Sequence, residues 1–182
     1  VNPDSLTLLH VGRLVSRKHI DLAFKLLSTI ERDNIELLVA GSGTHHERLK
    51  ELAEQLSISK KVSFLGFVPE DELASLYASS DLFLFFSRYE GFGLTFLEAM
   101  ASGTPVVGVP TGGFPDLVTD GRQGFIVERD ITEIVDTVEK FSQDPGKSAR
   151  MESAARELAE SRTWDDVAAE TEHMYKDTRD YI

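Results

Sequence analysis

Two glutamates, Glu90 and Glu98, stand eight positions apart in "SRYEGFGLTFLEAMASGTPVV" (87–107), with a Gly-Phe-Gly turn between them. An ionised carboxylate accepts hydrogen bonds from hydroxyls, and glycines such as Gly91 and Gly93 let a backbone turn sharply and approach a ligand. A helix opening near Gly93, Leu94 and Thr95 would aim unsatisfied N–H groups, and the positive end of its dipole, at an anion. Earlier in the chain, "GRLVSRK" supplies Gly12, Arg13 and Lys18. Arginine offers phosphate a planar fork and lysine a point charge. These residue types suit a ligand carrying phosphate between two hydroxyl-bearing groups, provided that the fold brings them together.

The elements that must do so are legible as short apolar runs alternating with helical periods. Strands are expected at 6–12, 35–41, 61–66, 81–87, 104–110 and 124–128. Helical spacing follows the first strand through Ile20, Phe24, Leu27 and Ile30. Thr44 three residues before Glu47 reads as a capping box, and Pro69 as the opening of the helix "PEDELASLYASS". A helix is expected around 93–102 and a short helical turn near 114–118. Asp130 with Glu133 caps a further helix, and 145–180 reads as two helices starting at Asp144-Pro145 and Thr163. Continuous Val/Ile/Leu/Phe strands between helices predict a parallel sheet covered on both faces, a doubly wound, Rossmann-like α/β domain of about six strands with a helical C-terminal tail.

In such a sheet, ligands lie at the carboxyl ends of the strands. There the loops carry Gly12, Arg13 and Lys18; Gly41-Ser42-Gly43; Gly66, Phe67 and Val68; Glu90 to Thr95; and Thr111-Gly112-Gly113. Glu98, further along its helix at 1.5 Å per residue, would sit roughly 7–8 Å beyond the helix start, about the distance from a diphosphate to its nucleoside ribose. Glu90 lies on the other side of the turn, toward whatever the diphosphate carries. The pattern describes a nucleotide sugar.

Composition narrows the classes further. With 182 residues, 41% of them hydrophobic, one well-filled domain is expected. A net charge of −12 opposes nucleic acid or an anionic membrane as main partner, so a phosphate ligand needs a local cationic site. No apolar run approaches the roughly 20 residues of a membrane span. The absence of cysteine fits a reducing compartment, and the start "VNPDSLTLLH" shows no charged signal-peptide region; a cytoplasmic piece of a longer protein is expected.

"GRLVSRK", "VSFLGFVP", "YEGFGLTFLEAMASGTPVV", "GGFPDLVTDGRQGFIV" and "RTWDDV" resemble the C-terminal, donor-binding domain of family 4 retaining glycosyltransferases of the GT-B fold. The resemblance runs over nearly the whole chain and implies one donor domain over 1–182. It also implies an N-terminal acceptor domain outside this chain and a helix over 163–180 that crosses toward it. It places Arg13 and Lys18 on the donor diphosphate, Glu98 on the ribose and Glu90 by the transferred hexose. Phe92, Gly93, Leu94 and Thr95 fall by sugar and phosphate, and Phe67 and Val68 beside the base. The donor expected is a UDP- or GDP-sugar, with no cofactor and no metal. His19 replaces the usual glycine after the lysine, and histidine is among the residues that tolerate a left-handed backbone. Phe86 stands where proline is usual.

Other features read as ordinary. His45 and His46 are adjacent and share no helix face, so they suit a solvated helix start rather than a metal. Trp164 reads as a packing anchor, and Thr95 as either helix cap or phosphate contact. No residue reads as a nucleophile or general base. A nucleotide-sugar-binding module without activity is the alternative.

Overall fold

In the computed structural model, which describes residues 5–179, six parallel strands form one sheet. They are β1 (Leu6–Val11), β2 (Ile35–Ala40), β3 (Val62–Gly66), β4 (Leu82–Phe85), β5 (Val106–Gly108) and β6 (Gly124–Ile126). The helices are α1 (Ile20–Thr29), α2 (His46–Gln55), α3 (Glu70–Ala78), α4 (Leu94–Ala101), α5 (Phe114–Leu117), α6 (Ile131–Ser142), α7 (Pro145–Glu160) and α8 (Trp164–Arg179). The strand order is β3-β2-β1-β4-β5-β6, the doubly wound order, with its switch point between β1 and β4.

Period-2 alternation divides the core. Leu6, Leu8, Leu37, Leu82, Leu84 and Val107 point to the face covered by α1, α2 and α6. Leu9, Leu38, Phe83, Phe85 and Val106 point to the face carrying Tyr77, Phe96, Met100 and Phe114. Both faces are buried, which is why the strands read as continuous apolar runs.

Several boundaries differ from the sequence expectation. β4 and β5 are shorter than 81–87 and 104–110; at the start of β5, Pro105 has no N–H to give the ladder and the Thr104 N–H bonds to the Ala99 carbonyl instead. The Thr44–Glu47 capping box does not form. The His45 N–H bonds to the Leu14 carbonyl, α2 starts at His46, and Glu47 pairs with His46 and Lys50 instead. Pro69 is the residue before α3 rather than its first. The Asp130, Asp144 and Thr163 starts are as expected: Asp130 accepts from the Glu133 N–H, Asp144 from the Lys147 N–H, and Thr163 and Asp166 cap each other. Trp164 anchors nothing within the described residues, being 76% exposed on α8; the expected last residue of that helix, 180, lies outside them.

Candidate functional site

The loop from β4 to α4 rests on an aromatic floor. Phe85, Phe96 and Phe114 meet pairwise with ring centroids 5.1–5.3 Å apart, fixing the end of β4, the first turn of α4 and the start of α5. Gly93 precedes α4 in the left-handed region (φ 87°), and a Cβ there would lie 2.6 Å from the Phe96 ring. Only glycine combines that backbone with that contact. Among the described residues the N–H groups of Leu94 and Thr95 find no acceptor, so α4 opens with free donors. Thr95 makes no cap: it lies inside the helix, and no side chain caps α4.

Three residues before Gly93, the Glu90 carboxylate is held from several sides. Lys18 Nζ donates to its Oε2, Ser87 Oγ lies 3.3 Å from the same oxygen, and Arg17 Nη1 lies 3.5 Å away. Lys18 and Arg17 arrive on a short 3₁₀ turn (Ser16–Lys18) that ends at His19, whose left-handed backbone (φ 47°) lets α1 begin at once. The two loops are tied by the Arg88 N–H to the Arg17 carbonyl, 2.7 Å, and by Arg17 Nη1 to the Tyr89 carbonyl, 2.9 Å. Thr111 Oγ1 donates to the Arg88 carbonyl, and Arg129 Nη2 to that of Ser87. Burial pushes the Glu90 carboxyl up, but the hydrogen bond and charge of Lys18, then the charge of Arg17, outweigh it and hold it below the usual carboxylate range.

Two cations against one carboxylate leave this cluster positive in a chain of net charge −12. Arg13, one strand end away, is exposed, and its guanidinium makes no hydrogen bond or ion pair with the described residues. Gly12 lies beside Lys18: a Cβ on it would be 3.7 Å from Lys18 Cε and from His10 Nε2. His10 is buried on β1 with Nδ1 near the Leu84 carbonyl and Nε2 unpartnered. Burial lowers its pKa to about 4, against the Leu84 carbonyl and with the help of Lys18, so the ring under the lysine is neutral at pH 7.

The remaining candidates spread along the same rim. Gly91, Phe92 and Leu94 are exposed around the turn. Glu98 is exposed on α4, and its Oε2 accepts a 2.9 Å hydrogen bond from the Tyr77 hydroxyl rather than touching the Glu90 cluster. Phe67, 83% exposed, and Val68 follow β3, three strand positions from β4 and so about 14 Å away at ordinary strand spacing. Sequence reasoning missed Arg17 and Tyr77. Arg17 stood next to Lys18 in the motif, but its partners lie more than 70 residues away, beyond any local signal. His46 packs edge-on to Phe64, and among the described residues no group of three His, Asp or Glu side chains is placed to hold a metal.

A cleft of about 760 Å³ lies elsewhere, between α1 and α2, lined by His19, Asp21, Lys25, His45 and Arg48 among others. The deciding observation is that the family of glycosyl transferases group 1 matches residues 1–158. The chain belongs to that family. This group 1 domain is 37% identical over 179 residues to an uncharacterized glycosyltransferase of Methanocaldococcus jannaschii, covering 97% of this chain and 46% of that protein. It is 33% identical to the GDP-mannose-dependent alpha-(1-6)-phosphatidylinositol monomannoside mannosyltransferase of Mycobacterium tuberculosis, over 90% of this chain and 45% of the relative. Among solved structures, Anabaena HepE in complex with UDP and glucose superposes with a TM-score of 0.84 at 27% identity, over 94% of this chain and 49% of that one. The chain therefore spans about half the length of the relatives it matches. No helix among the described residues is long and apolar enough to cross a membrane.

Proposed function

We propose that this chain is the donor-binding half of a retaining glycosyltransferase that takes a hexose from a UDP- or GDP-sugar. The observation that carries the reading is the Glu90 carboxylate held by Lys18 and Arg17 directly before the free N–H groups of α4, a local positive site in an acidic chain. A diphosphate at this helix start would meet Arg13, Lys18 and the α4 dipole, while Glu90 orients the hexose and Glu98 takes the ribose hydroxyls. Phe67 and Val68 would line the base. Both donor types have support in the relatives: one is named for GDP-mannose, and another was solved with UDP and glucose.

Transfer breaks the anomeric C–O bond, and the electron pair leaves with the diphosphate. Lys18, held by Glu90, together with Arg13 and the free N–H groups of α4 would stabilise the growing charge on that oxygen. The acceptor hydroxyl then bonds to the anomeric carbon on the face the diphosphate leaves, and its proton passes to the departing phosphate, so configuration is kept. This account calls on no metal.

The second wall of the cleft would be an N-terminal domain of the same protein. Support comes from the relatives' double length and from α8, which displays Trp164, Val167 and Tyr175, 76%, 40% and 71% exposed, as a face for that domain. Turnover by the full-length protein over a panel of nucleotide sugars tests the proposal. Retained anomeric configuration, a rate indifferent to chelator and no transfer by residues 1–182 alone are expected. Binding of a nucleotide sugar without transfer to any acceptor would instead support the non-catalytic module.

A further inference from the structure

Tyr77 lies buried on this side of the sheet, and its hydroxyl reaches the carboxylate of the exposed Glu98. Its ring packs on Phe83 with centroids 5.7 Å apart, it is 1% exposed, and its carbonyl accepts a 2.7 Å bond from Thr104 Oγ1. Both ends of the residue are thus fixed by the core, and its hydroxyl hydrogen is delivered to one point, Glu98 Oε2. Glu98 is the opposite kind of residue, exposed and joined to α4 through a flexible chain.

We infer that Tyr77 is a positioning residue, holding the Glu98 carboxylate in the rotamer that receives the two ribose hydroxyls of the donor. This rests on the reading of Glu98 as the ribose ligand. An ionised carboxylate offers about four acceptor sites. The phenol occupies one, leaving Oε1 and the second lone pair of Oε2 for two vicinal hydroxyls. Without the phenol, Glu98 would have to be ordered by the ligand itself, a cost equivalent to roughly three- to tenfold in affinity for a rotamer-rich side chain. Burial and then the Glu98 charge raise the phenol's pKa far above neutrality, so it remains a donor throughout the physiological range.

A buried phenol also needs an acceptor for its own sake, so the test must separate ribose recognition from mere satisfaction of Tyr77. In the full-length enzyme, calorimetry compares UDP and GDP with their 2′,3′-dideoxy analogues for wild type, Tyr77→Phe, Glu98→Gln and the double variant, with melting temperature as fold control. Tyr77→Phe is expected to lose about three- to tenfold for the ribonucleotide and nothing for the dideoxy analogue. Added to Glu98→Gln it should change nothing further. Equal losses for both ligand types, or no loss while Glu98→Gln does lose ribose preference, would overturn the role of Tyr77 alone. Full ribose preference in Glu98→Gln would instead remove the ribose reading, and the inference with it.

Discussion

Lys18 and Glu90, 72 positions apart in the chain, form an ion pair at the switch point of the sheet, with Lys18 only 8% exposed. The pairing fixes where the ammonium sits before any ligand arrives. Lys18→Ala leaves Glu90 with Arg17 and Ser87 and takes a positive charge from the α4 start. Its affinity for a nucleoside diphosphate should fall far more than for the nucleoside, and kcat by about 10²-fold, the size expected for removing one pre-aimed donor. Arg13→Ala should show the same preference for the diphosphate with a smaller effect. Titration calorimetry and initial rates on the full-length enzyme check both, and equal weakening of nucleoside and diphosphate would mean that the pair acts on structure.

His10 predicts an acid-sensitive stability. Its folded pKa of about 4 lies below the ordinary value of 6.5, so the unfolded chain takes the proton first. Its contribution is full above pH 6.5 and is lost as pH falls toward 4, on the order of 3 kcal/mol across that window. Urea midpoints of wild type and His10→Gln from pH 7 to 4 should converge as the pH drops. Parallel curves would show that the histidine is not the titrating group.

The glycines of the Glu90 turn should behave unequally. Gly93→Ala puts a methyl 2.6 Å from the Phe96 ring on a left-handed backbone, for a loss of about 2–4 kcal/mol. A Cβ on Gly91 meets no atom within 4 Å, so Gly91→Ala should stay within about 0.5 kcal/mol. Denaturant midpoints measure both.

Much of this was legible in the chain because it is local. "LTLLHV" and "IELLVA" announce doubly buried strands, and their order dictates which loops share the rim. The Gly-Phe-Gly turn before an apolar helix similarly forecasts a free helix start. What was not legible depends on partners distant in sequence. Arg17 reaches Tyr89 and Glu90 only because Arg88 donates to its carbonyl, and the Tyr77 hydroxyl acquires meaning only when α3 packs beside α4. Thr44 gave way as a cap in a similar setting: the His45 N–H bonds to the Leu14 carbonyl of another loop and the His46 N–H to the Gly43 carbonyl, and α2 starts at His46. Trp164 reads as a core anchor by residue type, yet α8 exposes it.

The central claim is that the rim around Glu90, and not the cleft between α1 and α2, receives the donor's diphosphate. Amide chemical shifts of this chain, followed while UDP or GDP is added, test it most directly. Movement should concentrate at Gly12, Arg13, Lys18, Glu90, Gly93, Leu94, Thr95 and Glu98 and saturate with the ligand. Shifts gathered instead at Asp21, Lys25, His45 and Arg48, or none from either nucleotide, would contradict it.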